Sequence, residues 1–396
     1  MPQDLTFTQA SSIINELNSQ ATGTKTIAPV NLTEFMSMAD TLLKTGYDPI
    51  IQSISQVLGK TIFSVRPYKS KFDIIRKSST QYGNHVRKLQ VCDKPFEDDA
   101  RMTLEDGSSV DMFKVNKPDV LQTNFYGADV YEKSLTYFKD QLDNAFMSPE
   151  DLVSFTQMYT QNANDLIAQA DENTQRAVVA NMIMATVKSW GSSTNKNKRV
   201  IRLITEYNEE TGEDLTPETV KAPANYPNFI KWAYAKIRST AALMTERNNQ
   251  FIAHPAGKNL NRHTPYKNMK MLISAPELYS IESRVLTDLF NDKYMKLVDY
   301  EVVNFWQSIE NPTGISLLSS YYDEASGTIK KMESEEPFDG IFAVIFDEEA
   351  LGVTRVNEWN SATPLNAKGG YTNFFWHFTN RYWNDFSENC CVFVLA

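Results

Sequence analysis

The sequence predicts an α+β protein, and three stretches carry that prediction. Ser148 to Lys188 has apolar residues at helical spacing, while Ile341 to Phe346 is a short, continuously apolar run of strand type. Tyr371 to Phe386 holds eight aromatics in sixteen residues and leads to a terminal strand at Cys390 to Leu395. So aromatic a segment is too costly to leave in water and must fold back on earlier parts of the chain.

The helical stretch is the centre of the chain. Ser148-Pro149-Glu150-Asp151 is a helix start: a capping serine, a proline suited to the first position, and two carboxylates where the helix dipole favours negative charge. Leu152, Phe155, Tyr159, Ala163, Leu166 and Ala170 then form one apolar stripe. A second helix is expected after Asp171-Glu172-Asn173, because Ala177 to Ala185 is apolar nearly all round except at Asn181. One half-solvated helix followed by a buried one reads as a brace beside a core.

Working from the N-terminus, residues 1–30 read as a weakly ordered arm. Thr33 to Lys44 is helical by its spacing, Asp48-Pro49 opens a short helix that ends at Gly59, and Thr61 to Arg66 alternates as a strand. From Tyr68 to Pro118 basic residues give way to acidic ones, with Asp106-Gly107 as a turn. Val86, Leu89 and Val91 facing Val110, Met112, Phe113 and Val115 suggest a two-stranded ribbon. It has too few apolar residues to bury a core of its own, so it is either a solvated insertion or a ribbon completed by a partner surface. Asp119 to Lys139 fits a helix by its spacing and a strand by the composition of Tyr126 to Phe138.

Further along, Lys196, Lys198 and Arg199 read as a solvated patch, Val200 to Ile204 as a strand, and Glu206 to Pro227 as a boundary. Asn228 to Asn248 is an amphipathic helix. Strands at Met269 to Ile273 and Leu297 to Trp306 flank a helix that starts at Ala275-Pro276-Glu277, an alternating order of α/β type.

Composition limits the function classes. Of 396 residues 42% are hydrophobic, enough for a large core, in two or three domains or one elongated domain with insertions. Thirty-nine basic against 49 acidic residues leave a net charge of -10, which argues against general nucleic-acid binding. Cys92, Cys390 and Cys391 form no disulfide framework, and with four histidines no zinc spacing can be assembled. Met1 to Ala10 lacks the basic start and apolar run of a signal peptide, so a reducing cytosol is expected.

Catalytic signals are weak. No phosphate-cradling glycine loop, nucleophile elbow or paired-histidine zinc helix occurs. His254 and His263 share a loop with Lys258 and Arg262, which reads as solvated; its rival reading is a hydrolase or metal enzyme built on the two histidines. His377 reads as a packed residue, Glu348-Glu349 and Glu333 to Glu336 as solvated faces, and Cys390 and Cys391 as inert buried thiols.

The order of pieces resembles the major capsid proteins of tailed double-stranded DNA phages, which have the Hong Kong 97 type fold. It is most similar to the phi-29-like short-tailed phages, the podovirus group. Five segments carry the likeness: Asp48 to Phe72, Asn124-Phe125-Tyr126-Gly127 to Met184, Phe229 to Leu243, Met271 to Leu286, and Gly369-Gly370-Tyr371 to Leu395. They span about two thirds of the chain, and segment order rather than a diagnostic motif makes the match.

The resemblance implies a non-enzymatic shell protein without cofactor or metal. It implies an N-terminal arm and short helices (1–66), an extended loop lying over a neighbouring subunit (67–118), a peripheral domain with the spine helix (119–226), an axial domain (227–345), and a C-terminal return to the peripheral domain (346–396). It also prefers a strand for Tyr126 to Phe138. Lys69, Lys71, Arg87 and Lys88 at the base of the loop, with Asp98, Asp99 and Glu105 toward its tip, become candidate inter-subunit contacts. The implied partners are copies of itself as pentamers and hexamers, a scaffolding protein, a portal protein, and packaged double-stranded DNA held without sequence-specific binding; no membrane is involved. The shell would be assembled in the host cytoplasm and belong to the virion. An encapsulin-like compartment is the alternative with the same fold.

Overall fold

The structure is a computed structural model. It describes residues 31–44, 70–78, 86–140 except 95, 103, 114 and 127, 149–193, 197–279 except 255–257 and 259, and 299–396, with positions 11, 14, 15, 18, 19 and 29; side chains of α2 are described from 165 on. The expected helix after Asp48, the strand over Thr61 to Arg66, Lys69 and most of the expected arm lie outside the described residues.

Helix α1 (Leu32–Lys44) begins where Asn31 accepts a hydrogen bond from the Glu34 amide at 2.9 Å and donates one to the Glu34 carboxylate at 3.0 Å, a reciprocal cap. Strands β1 (Val86–Val91), β2 (Val120–Phe125) and β3 (Ala128–Phe138) precede helix α2 (Pro149–Ser192). Next come β4 (Val200–Arg202), α3 (Leu203–Thr211), α4 (Tyr226–Met244), β5 (Met269–Ser274) and β6 (Tyr300–Val303). Four short strands follow, β7 (Ile315–Leu317), β8 (Ser320–Asp323), β9 (Thr328–Lys331) and β10 (Glu336–Phe338), and the chain closes with β11 (Ile341–Asp347), β12 (Leu351–Ala362), β13 (Tyr371–Asn384) and β14 (Cys390–Val394).

Two successive helices were expected over 148–188; the structure has one helix of 44 residues, roughly 66 Å long at 1.5 Å per residue. The polar triplet at 171–173 does not break it, because the buried Asp171 is paired rather than solvated. Arg355 of β12 donates to both its oxygens, at 2.7 and 2.6 Å, Arg76 reaches it at 3.0 Å and the Asn380 amide at 2.9 Å. One turn on, Ser70 donates to Gln175 at 2.5 Å, while Arg176 pairs with Glu172 at 2.6 Å and lies over the rings of Phe72 and Phe305.

A mixed sheet in the order β4-β14-β11-β5-β6 forms the core. β14 and β11 sit in its interior, and every residue of both is buried. On one face Phe342, Ile345, Cys391 and Phe393 pack with Phe229, Ile230 and Ile237 of α4 and with α3. On the other, Val344, Phe346, Val392 and Val394 meet Val178, Met182 and Ile183 of α2. Cover on both faces explains why Ile341 to Phe346 is apolar without alternation. Its strands come from the 119–226, 227–345 and 346–396 stretches alike.

The second sheet, β12-β13-β3, is antiparallel, with β13 in the middle. Its inner side rests on α2: Tyr131 meets Thr174 at 3.3 Å, Asn384 donates to the Val178 carbonyl at 3.2 Å, and Phe374 and Phe378 are buried. Within the sheet, Gly352 leaves room for its cross-strand partner, since a Cβ there would fall 2.5 Å from the Trp383 ring. The strand alternative for Tyr126 to Phe138 is the one observed.

The ribbon corrects the expected pairing. β1 pairs with β2, Val91 opposite Val120 and Val86 opposite Phe125, whereas the described residues of 110–115 form no strand and Val110, Met112, Phe113 and Val115 are exposed. Cys92 donates its amide to the Asp119 carbonyl at 2.8 Å, and beyond this point the connecting loop carries the expected turn at Asp106-Gly107, with Gly107 at φ 85°.

Arg199 is a further correction. It is buried, not solvated: Glu324 takes its guanidinium at 2.6 Å, Ser189 and Asn197 accept from it at 3.0 Å, and burial pulls its pKa down despite Glu324. The expected boundary at 206–227 contains the end of α3, capped by Gly212 in a left-handed conformation, and the turns leading to α4.

Candidate assembly surface

The ribbon stands on a charged root. Strand alternation turns Lys88 and Gln90 of β1 toward the 385–388 turn. The Lys88 ammonium contacts Asp385 at 2.9 Å, Glu388 at 2.5 Å and Glu349 at 3.2 Å, and Gln90 donates to the Ser387 hydroxyl at 3.0 Å. Burial opposes the charge on Lys88, but Asp385 and Glu388 outweigh it, so its pKa lies above the ordinary lysine value. Burial pushes the Glu388 pKa up, because Lys88 is shared with Asp385 and cannot fully compensate both carboxylates.

A second contact follows in the chain. Asp93 accepts from the Asn261 amide and side chain, both at 3.0 Å, and pairs with Arg247. Slight burial opposes ionisation there, yet these partners hold the carboxyl below its usual range. Lys258 donates to the Val120 carbonyl at 2.8 Å. The root is therefore fastened to its own chain on one side.

Beyond the root the loop has little to bury. Phe96, Met102, Met112 and Phe113 are almost wholly exposed, and Arg101 folds back on Asp99, holding that carboxyl below its usual value. Large apolar side chains concentrated on one projection are the mark of a surface that another chain covers. Beneath the root a cleft of about 880 Å³ separates β2 from α2 and the β8–β9 hairpin, with Phe125, Val178, Ile329 and Tyr382 among its walls.

A family model for the Phi29-like phage major capsid protein matches residues 10–394. The chain belongs to that family. The fold agrees: the capsid protein is similar to a chain in the capsid structure of Staphylococcus phage Andhra, at 11% identity over 84% of this chain and 86% of the other, with a TM-score of 0.54. It is also similar to a chain in the structure of head fiber and inner core protein gp22 of native bacteriophage P68, at 10% identity over 85% and 87%, with a TM-score of 0.52. No curated protein matches it. The fold is thus the α+β Hong Kong 97 type, and the protein is a phage major capsid protein that forms the virion shell, a structural protein and not an enzyme.

Family membership, not an empty site, sets aside the encapsulin and hydrolase readings. The two histidines of the latter differ in their surroundings: His254 is half-buried with its amide donating to Glu324 at 3.1 Å, and His263 is exposed. Among the described residues no group of three potential ligands is arranged to hold a metal ion, and no helix is long and apolar enough to cross a membrane.

The seven expected contact residues fall into three groups. Lys71, Arg87, Asp98, Asp99 and Glu105 are exposed, Lys88 is engaged within its own subunit, and Lys69 lies outside the described residues. Sequence reading chose charged residues and passed over the exposed apolar ones. Their signal was visible: Phe96, Met102, Met112 and Phe113 lie in a stretch with too few apolar residues to bury a core of its own.

Proposed function

We propose that the capsid protein assembles as pentamers and hexamers into an icosahedral or prolate shell around double-stranded DNA, and that residues 67–118 are the extended loop by which each subunit lies over its neighbour. The exposed apolar projection beyond the Lys88 root supports this reading, because it is fastened on one side and uncovered on the other. Lys71, Arg87, Asp98, Asp99 and Glu105 then set register between subunits, as does Lys69, more than they add affinity. Lys88 anchors the loop instead.

On this reading α2 and the β12-β13-β3 sheet form the peripheral domain, which takes residues from 119–226 and 346–396, and the axial domain is built mainly from 227–345. A scaffolding protein directs closure in the host cytoplasm, and a portal protein occupies one vertex. The net charge of -10 lets packaged DNA lie inside without sticking.

Replacing 94–117, the part of the loop beyond its root, by a short Gly/Ser linker tests the loop assignment. The core sheet, α2, the buried Phe72 and Ile75 and the Arg76–Asp171 contact are untouched, so the variant should stay folded and soluble yet fail to close into shells in the electron microscope. Particles of normal size and stability would overturn it.

A further inference from the structure

The cleft beneath the ribbon root has a composition that selects a class of ligand. Its floor is one face of α2, where Thr174, Ala177, Val178 and Asn181 lie three and four residues apart. Ala177 is exposed there, although 178–180 are buried. Rings form the walls: Phe125 of β2, Tyr131 of β3, Tyr322 of the β8–β9 hairpin, Tyr382 and Trp383 of β13, and Phe386 just after it. The volume of about 880 Å³ falls among small-molecule sites, which span roughly 300–1,000 Å³.

The charged part of the lining is acidic. Among the described residues no lysine, arginine or histidine lines the cleft, whereas Asp129 and Asp385 do. Asp385 is already compensated, with Lys88 on one oxygen at 2.9 Å and the Ser387 amide and hydroxyl on the other at 2.9 and 2.6 Å. Asp129 is not. It is exposed, accepts from the Tyr131 hydroxyl at 3.3 Å, and pairs with no cation among the described residues. Strand alternation puts Asp129 and Tyr131 on one side of β3, the side from which Tyr131 reaches Thr174 of α2. Burial, and after it the charge of Asp129, pushes the Tyr382 phenol up, so the ring keeps a neutral hydroxyl for that carboxylate. An uncompensated carboxylate among several rings, whose faces also favour positive charge, suits a cation with an apolar body.

We propose that this cleft binds a small organic cation, an ammonium group on an aromatic or alkyl body, with the charge at Asp129 and the body between the rings over Ala177 and Val178. A neutral apolar ligand leaves Asp129 unpaired, and an anion faces two carboxylates. Because β2 forms one wall and α2 the floor, the occupant braces the ribbon against its own subunit.

The test titrates benzyltrimethylammonium into the full-length subunit by calorimetry, beside neutral benzyl alcohol and anionic benzoate. Saturable one-site binding of the cation is expected, with the other two at least about ten-fold weaker. Asp129→Asn should weaken the cation by about ten-fold, and Asp129→Lys should abolish its binding. Both change an exposed position, so melting without ligand should match the wild type. Glu132→Gln removes an exposed carboxylate on the same strand that lies beside His377, outside the cleft, and should change nothing. The cation should raise the melting temperature of the wild type and not that of Asp129→Lys. Equal binding of benzyl alcohol, unchanged affinity in Asp129→Asn, or no saturable binding of the cation would each overturn the assignment. So would binding to free subunits that is lost in assembled shells, which would give the cleft to a side chain of another copy.

Discussion

Arg355, on the long strand β12, reaches the middle of α2 and grips both carboxylate oxygens of Asp171, at 2.7 and 2.6 Å. The residues are 184 positions apart, and the grip ties the three-stranded sheet to the spine midway along its length. Asn380 and Arg76 close on the same carboxylate, so one buried side chain holds three segments.

Asp171→Ala should therefore destabilise the subunit markedly. Removing one partner of a fully buried pair costs roughly 3–5 kcal/mol, and exposure of the Arg76 and Arg355 side chains, at 44% and 24%, reduces the expected loss to about 2–3 kcal/mol. Urea unfolding of the soluble subunit checks this. A midpoint equal to that of the wild type would show that the junction contributes no stability.

Lys88→Met should loosen the ribbon root and change the alkaline limb of stability. The folded-state pKa of Lys88 is raised, so its contribution is fully present below 10.5 and is lost as pH climbs above that value. Wild type minus variant should be constant near neutrality and shrink above 10.5. Glu388, also raised, has the same sign in a lower window: its protonated form is favoured in the fold, a gain present below its ordinary 4.5 and lost as pH rises through the raised value. Glu388→Gln should flatten that acid-side change. Denaturant midpoints across pH measure both, and parallel curves for all three proteins would refute the assignment.

Cys390 and Cys391 should resist alkylation in the native subunit. Burial pushes the Cys390 thiol up to about 12 and raises Cys391 well above its usual value, so neither supplies thiolate at pH 8. Iodoacetamide followed by mass spectrometry should label both only after unfolding. Labelling at native-state rates comparable to a free thiol would show that β14 opens.

Removing residues 371–396 should abolish folding, not only assembly. β13 is the middle strand of one sheet, and β14 lies between β4 and β11 in the other, so truncation takes an interior strand from each of two sheets. Losing a single buried aromatic costs about 3–5 kcal/mol, and Phe374, Phe378 and Phe393 would all go. The truncated chain should be insoluble. A soluble product with a cooperative melt would show the segment to be peripheral.

Much of the architecture was legible locally. The helix start at Pro149-Glu150, the buried turns at 178–185, the continuous run of β11, the terminal strand and the turn at Asp106-Gly107 all follow from spacing, first-turn and turn chemistry, which act within a few residues. The order of those pieces was enough to resemble the family. The five exposed candidate contacts were also readable from charge, since long charged side chains on a core-poor loop stay in water.

Other features were decided only in three dimensions, because their partners are distant in sequence. Asp171-Glu172-Asn173 reads as a helix break until Arg355 and Arg76 neutralise the carboxylate that would otherwise seek solvent. Arg199 reads as solvated until Glu324, 125 residues later, makes its burial tolerable. Val86 to Val91 has a plausible partner in residues 110–115, but Lys88 and Gln90 must meet Asp385, Glu388 and Ser387, nearly 300 residues on, and β2 is the strand that pairs when they do. Composition and periodicity determine which segments form helices and strands. Where each buried charge finds its counter-charge, and hence which strand lies beside which, depends on long-range desolvation that no local window contains.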